Sequence, residues 1–206
     1  MLEHLKKYRV LLGSASPRRK ELLTGLDIPF EVKVLPNVDE SYPDGLQKEE
    51  IPLFLSQLKA DAYKNLLEEN DLLITADTIV WLDGRVYGKP KNENEAKEML
   101  RILSGNIHEV ITGVCISEKE KQLVFHAVSK VKFAQLDEDE IDYYVKKYKP
   151  YDKAGSYGVQ EWIGYIGVEQ LEGSFYNVMG LPVRMLYKYL KEYDTTDYCK
   201  SRRTNC

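Results

Sequence analysis

Directly after the apolar run Tyr8-Arg9-Val10-Leu11-Leu12 comes Ser14-Ala15-Ser16-Pro17-Arg18-Arg19-Lys20. The stretch reads as a strand, a hydroxyl-rich turn and a helix. Ser16 falls at the N-cap, and Pro17 takes the first helical position, where a missing N–H costs nothing. A helix N-terminus offers unpaired backbone N–H groups and the positive end of the dipole. Two serine hydroxyls and the guanidiniums of Arg18 and Arg19 around that end would cradle a phosphate. The same residues also fit an ordinary capped helix with arginines on its solvated face. Cations sit here where the dipole disfavours them, which argues for something negative between them.

Asp77 is the second chemical anchor. It lies inside Leu72-Leu73-Ile74-Thr75-Ala76-Asp77-Thr78-Ile79-Val80, where every neighbour argues for burial. An unpaired carboxylate there would cost several kcal/mol, by rough desolvation figures, or would protonate. Two solutions exist: a structural aspartate paired with a turn or an arginine, or a carboxylate at the cleft-facing part of a strand compensated by a metal or cation. Lys59 lies at the edge of an apolar helical face, so its ammonium reaches either solvent or a cleft. Gly84 to Pro90 invites comparison with a P-loop and fails it, because Pro90 stands where the magnesium-binding hydroxyl belongs. Lys89 remains a cation in a Gly-Lys-Pro turn, suited to a phosphate or simply exposed. Asp39 and Glu40, in a loop, are either an acidic surface or a seat for Mg²⁺ or Mn²⁺ with a triphosphate. Asp152 to Gln160 mixes glycines with polar side chains, as ligand-covering loops do.

The elements that must position these residues alternate between strand-like and helix-like patterns, which predicts a layered α/β architecture. Strands are predicted at 8–12, 30–35, 72–81, 109–117 and 123–136. Helices are predicted from Pro17, over 51–66 on the face Ile51, Phe54, Leu55, Leu58, Ala62 and Leu66, from a capping box at Asn92 to Leu103, from Asp137 to about Pro150, and from Asn177 or Gly180 to about Tyr193. Asp83-Gly84 is a turn signal. Residues 155–173 read as strands and turns. One domain covers 1–206, with a core at about 8–193 and a polar tail over 194–206.

At 206 residues, 43% hydrophobic and 30% charged, the chain can bury a sizeable core. The formal net charge of −4 argues against nucleic-acid backbone as main partner. No apolar run is long enough to span a bilayer, and the start lacks a signal peptide's core, so no membrane partner and a cytoplasmic location are expected. Cys115, Cys199 and Cys206 show no metal spacing, and His4, His108 and His126 are scattered. This spacing argues against a nitrogen–sulfur zinc site and a serine–histidine triad, and a hard cation held by oxygen is the expected catalytic metal.

Taken in order, these segments resemble the Maf family of nucleoside triphosphate pyrophosphatases. The resemblance is carried by Ser14 to Arg19 with Glu21-Leu22-Leu23, Asp39-Glu40, Lys59-Ala60, Ala76 to Val80 and Gly88-Lys89-Pro90. It continues through Ser104-Gly105, His108, Thr112-Gly113-Val114, Lys153 to Gln160 and Tyr176 to Pro182. It implies an elongated mixed β-sheet flanked by helices, with two lobes around a central cleft, similar to inosine triphosphatase. It also implies hydrolysis of a nucleoside triphosphate to monophosphate and pyrophosphate with Mg²⁺ or Mn²⁺, in a homodimer. By likeness Asp77 is the proton acceptor, with Glu40, Lys59 and Lys89 completing the charged cluster and Glu40 and Asp77 as metal ligands. Ser14, Arg18 and Arg19 are similar to phosphate-binding positions. Arg18, Thr78 and Gln160 match the specificity positions of the branch acting on dTTP and UTP. Thr78 and Gln160 offer donors and acceptors that suit the imide edge of uracil or thymine. Glu161-Trp162 departs from the glycine common after the glutamine, so the loop beside Gln160 is expected to differ. The alternatives are a division or septation regulator acting by binding, and a hydrolase of other modified nucleotides such as 7-methyl-GTP.

Overall fold

The computed structural model describes residues 2–36 and 38–193; the polar tail over 194–206 lies outside the described residues. The strands are β1 (Arg9–Leu12), β2 (Glu31–Val32), β3 (Asp71–Leu82), β4 (Arg85–Tyr87), β5 (Ile107–Ser117), β6 (Gln122–Phe133) and β7 (Val168–Glu172). The helices are α1 (Pro17–Thr24), α2 (Glu50–Asp61), α3 (Glu93–Leu103), α4 (Glu138–Tyr148), α5 (Trp162–Gly167), α6 (Phe175–Met179) and α7 (Val183–Glu192). The expected mixed sheet flanked by helices is what forms, in the order β2-β1-β3-β5-β6-β7, with β4 also paired to β3.

β3 explains most of the architecture. Its alternate residues Leu72, Ile74, Ala76 and Val80 join one core with Leu22 and Leu23 of α1, Leu100 of α3, Tyr144 of α4 and Leu186 of α7. The other face carries Leu73 and Ile79, which pack with Ala60, Ile51 and Leu55 of α2. Both faces are covered, so the run is apolar throughout except where chemistry intervenes. Along one edge β3 pairs antiparallel with β5 from Leu73 to Trp81. The other edge is divided: β1 runs parallel beside Asp71 to Ile74, and β4 returns antiparallel beside Val80 to Leu82. Residues 75–79 have no strand beside them on that edge, and the gap is where a cleft opens.

α2 lies unusually close to the sheet. Gly113 of β5 sits opposite Asp77, and a Cβ there would stand 2.1 Å from the Pro52 carbonyl oxygen. Any side chain would push the helix away. The Thr75 hydroxyl donates to the Ser56 carbonyl at 2.7 Å and pins the same helix from β3.

Several boundaries differ from expectation. The second strand shrinks to Glu31–Val32, because β1 ends at Leu12 and offers nothing further to pair with. α2 stops at Asp61, and Ala62 and Leu66 are exposed; Tyr63 and Leu67 continue the buried face instead. Residues 155–173 contain a helix, α5, as well as a strand. The last helix is two, because Gly180 takes φ +113 between them, a conformation few other residues adopt. The Asp83-Gly84 turn forms, with both residues at positive φ as a type I′ hairpin requires. Asn92 caps α3 by accepting from the Glu95 N–H at 3.0 Å, while Glu95 reaches Lys91 N, so the reciprocal bond of a full capping box is displaced by one residue.

His108 is fully buried against Phe133 and Tyr157, with Nε2 2.7 Å from the Tyr157 hydroxyl and Nδ1 unpartnered. A proton on Nδ1 would have no acceptor, and burial lowers the imidazole's pKa to about 4. An unfolded chain takes up that proton near pH 6.5 and the folded one does not. The contribution of His108 to stability is therefore full above pH 6.5 and is lost as the pH drops toward 4, by about 3 kcal/mol at 1.36 kcal/mol per pH unit. Urea midpoints measured across this range are expected to fall more steeply for the wild type than for His108→Gln.

Candidate active site

The cleft at the β3 gap has a volume of about 450 Å³, within the ordinary range for ligand sites. Ser14, Arg18, Arg19, Glu40, Lys59, Asp77, Thr78, Lys89 and Gln160 all line it. Asp39 does not: it is exposed and accepts from the Ser41 N–H at 3.0 Å, so the two adjacent acids do not act as a pair.

Strand alternation decides what each side chain meets. Asp77 points toward α2, where Lys59 Nζ donates to its Oδ1 at 2.6 Å. Glu40 Oε2 approaches the same ammonium at 3.3 Å, so two carboxylates converge on one cation. No described residue donates to Asp77 Oδ2, which leaves that oxygen for the cleft. The buried aspartate is thus paired with a lysine and lies in an open hollow, a combination that a purely structural capping role would not need.

The turn after β1 forms as its sequence dictates. Ser16 caps α1 by accepting from the Arg19 N–H at 3.4 Å, and Ser14 Oγ accepts from the Ser16 N–H at 3.3 Å. Arg18 and Arg19 then diverge. Arg18 Nη1 pairs with Asp152 Oδ2 at 2.7 Å, and Nη2 donates to the Asp152 carbonyl at 3.2 Å. Arg19 turns inward, where Nε donates to Gly180 O at 2.8 Å, Nη1 to Ala76 O at 2.8 Å and Nη2 to Thr78 Oγ1 at 3.0 Å. Ala76 O is free to accept because the β3 edge is unpaired there. Burial holds the Arg19 guanidinium below the usual arginine value, and Asp77 partly offsets it.

Across the mouth, Lys153 is buried between Asp152 Oδ1 at 2.7 Å and Glu161 Oε1 at 3.1 Å. Burial pushes the Asp152 carboxyl up, but hydrogen bonds from Lys153 and Arg18 outweigh it and hold the group at about 2. Glu161 also takes the Tyr144 hydroxyl, which accepts from the Gly158 N–H at 3.0 Å. Burial and then the Glu161 bond raise the Tyr144 phenol. Glu161 therefore ties the loop before Gln160 to α4, while Trp162 packs edge-on against Tyr143. The Asp152–Arg18 and Glu161–Tyr144 pairs lie outside the set read from sequence. Asp152 and Lys153 sit within a stretch singled out as loop-like, but their partner Arg18 is 134 residues away from Asp152 and no spacing rule links them.

A family model described as Maf-like protein matches residues 9–193. The chain belongs to the Maf family. Among Maf relatives, the dTTP/UTP pyrophosphatase of Porphyromonas gingivalis is 57% identical over 195 residues, 94% of this chain and 98% of that protein. The dTTP/UTP pyrophosphatase of Parabacteroides distasonis is 60% identical over 193 residues, 94% of this chain and all (100%) of that one. Among solved structures, the Staphylococcus aureus Ham1 protein aligns at 17% identity with a TM-score of 0.46, covering 87% of this Maf chain and 98% of that chain.

Proposed function

We propose that this protein hydrolyses dTTP and UTP between the α- and β-phosphates, releasing the nucleoside monophosphate and pyrophosphate. One observation carries the reading: Asp77, held by Lys59, shares a single cleft with Arg18, Lys89 and the N-terminus of α1. The names of relatives 57% and 60% identical supply the substrate class.

Asp77 accepts the proton of the attacking water through the carboxylate oxygen that Lys59 leaves unbound. Lys59 fixes the carboxylate's orientation. Arg18, Lys89, the Ser14 hydroxyl and the α1 N–H groups stabilise the charge that builds on the departing pyrophosphate. Thr78 and Gln160, which both line the cleft, meet the base.

The acidic pair suits a hard divalent cation, Mg²⁺ or Mn²⁺. Such ions are held by one or two carboxylates and completed by phosphate oxygens and water. Glu40 and Asp77, both directed at the Lys59 ammonium, would hold it. No group of three or more His, Cys, Asp or Glu gathers among the described residues, so any further ligands would come from the triphosphate and water. When bound, the cation neutralises triphosphate charge. Among the described residues no helix is long and apolar enough to cross a membrane; family likeness supports a cytoplasmic homodimer.

The test is a panel of nucleoside triphosphates with Mg²⁺ or Mn²⁺, and again after chelation. Fastest turnover of dTTP and UTP, abolished by chelator and restored by metal, is the expected result. Equal rates on every base, or activity indifferent to chelation, would contradict it.

A further inference from the structure

Thr78 does not stand alone in the cleft. Its Oγ1 accepts from Arg19 Nη2 at 3.0 Å and lies 2.9 Å from Thr112 Oγ1 on the neighbouring strand β5. A guanidinium only donates, so Arg19 occupies one lone pair of Thr78. Thr112 Oγ1 in turn lies 3.2 Å from the Asn177 carbonyl, and a carbonyl only accepts. The single hydrogen of Thr112 is thereby directed at Asn177.

One polarity then remains for the two hydroxyls: Thr78 donates and Thr112 accepts. Every hydroxyl hydrogen is used, and Thr78 keeps a lone pair but no hydrogen for the cleft. The arrangement is rigid. Thr112 and Asn177 are fully buried, and Asn177 Nδ2 donates to Val110 O and Ser129 Oγ, both at 3.0 Å. Reversing the pair would forfeit the Thr112–Asn177 bond to free the Thr78 hydrogen.

We propose that Thr112 is a positioning residue that makes Thr78 an acceptor only, so that the site selects bases carrying an N–H at ring position 3. Uracil and thymine present that donor; cytosine presents a lone pair there and would face another lone pair. The inference rests on the reading above that Thr78 meets the base. It deepens that reading by assigning the discrimination against cytosine to a buried hydroxyl that never touches the ligand. The effect is that of one hydrogen bond, roughly three- to tenfold in relative kcat/KM.

The experiment compares UTP with CTP in the wild type, Thr112→Val and Thr112→Ser. The wild type is expected to favour UTP. In Thr112→Val the Thr78 hydrogen is released, and the UTP-to-CTP ratio falls three- to tenfold, chiefly through a lower KM for CTP. Thr112→Ser restores the acceptor and the wild-type ratio. If Thr112→Val fails to fold, Thr112→Ala carries the same expectation. Equal use of UTP and CTP by the wild type overturns the proposal without any variant. So does a Thr112→Val enzyme whose rates on both nucleotides fall alike with the ratio unchanged. A wild type that turns over no pyrimidine triphosphate overturns the proposed function itself, and this inference with it.

Discussion

Asp77→Asn is expected to fold normally and to lose nearly all turnover, with kcat reduced roughly 10³-fold, the usual weight of a positioned general base. The amide oxygen of asparagine can still accept from Lys59 Nζ, now 2.6 Å from Asp77 Oδ1, so the α2–β3 contact survives. What disappears is the negative charge, and with it both the proposed proton acceptor and half of the acidic pair facing Lys59. A melting temperature near the wild-type value beside a collapsed kcat is the expected pairing of results. Full activity in the variant would move the base elsewhere. A collapsed fold would reduce Asp77 to a structural ion-pair partner.

Arg19→Met has the second largest expected effect, and it falls on stability as well as activity. The guanidinium joins three separate segments: Ala76 on the open edge of β3, Gly180 between α6 and α7, and Ser14 in the turn before α1. Hydrogen bonds from a charged donor are worth about 1.5–3 kcal/mol each, and a methionine leaves buried acceptors unmet. A net loss of about 3 kcal/mol corresponds to a melting temperature lower by roughly 6–12 °C in a chain of this size. Arg19→Lys is expected to recover little, since an ammonium cannot reproduce the planar fork. Likeness to the family assigns Arg19 to phosphate binding. A variant that melts like the wild type and loses only activity would favour that role over the anchoring one.

The chemistry was more legible in the sequence than the geometry. Ser14 to Arg19 could be read as a capped helix start because capping is local, and it forms as read. Asp77 stood out because a carboxylate inside an apolar strand always demands an explanation. What the sequence did not disclose depends on strand pairing. The cleft exists because β1 stops short and β4 returns late along one edge of β3, a gap that no periodicity encodes. Arg18 and Arg19 are adjacent and chemically identical, yet one reaches the mouth and the other the floor of the cleft. Their fates are set by Asp152 and by the carbonyls of Ala76 and Gly180, all remote in sequence. No local pattern explains Gly113 either: it is glycine because the Pro52 carbonyl, 61 positions earlier, presses against its Cα. The Thr78–Thr112 hydroxyl pair follows from register alone, since those two residues stand directly opposite each other.

Phosphorus NMR of the reaction as dTTP is consumed tests the central claim most directly. Pyrophosphate should accumulate one-to-one with dTMP, with no orthophosphate resonance at early times. Orthophosphate rising together with dTDP would place the cut at the terminal phosphate and contradict the account.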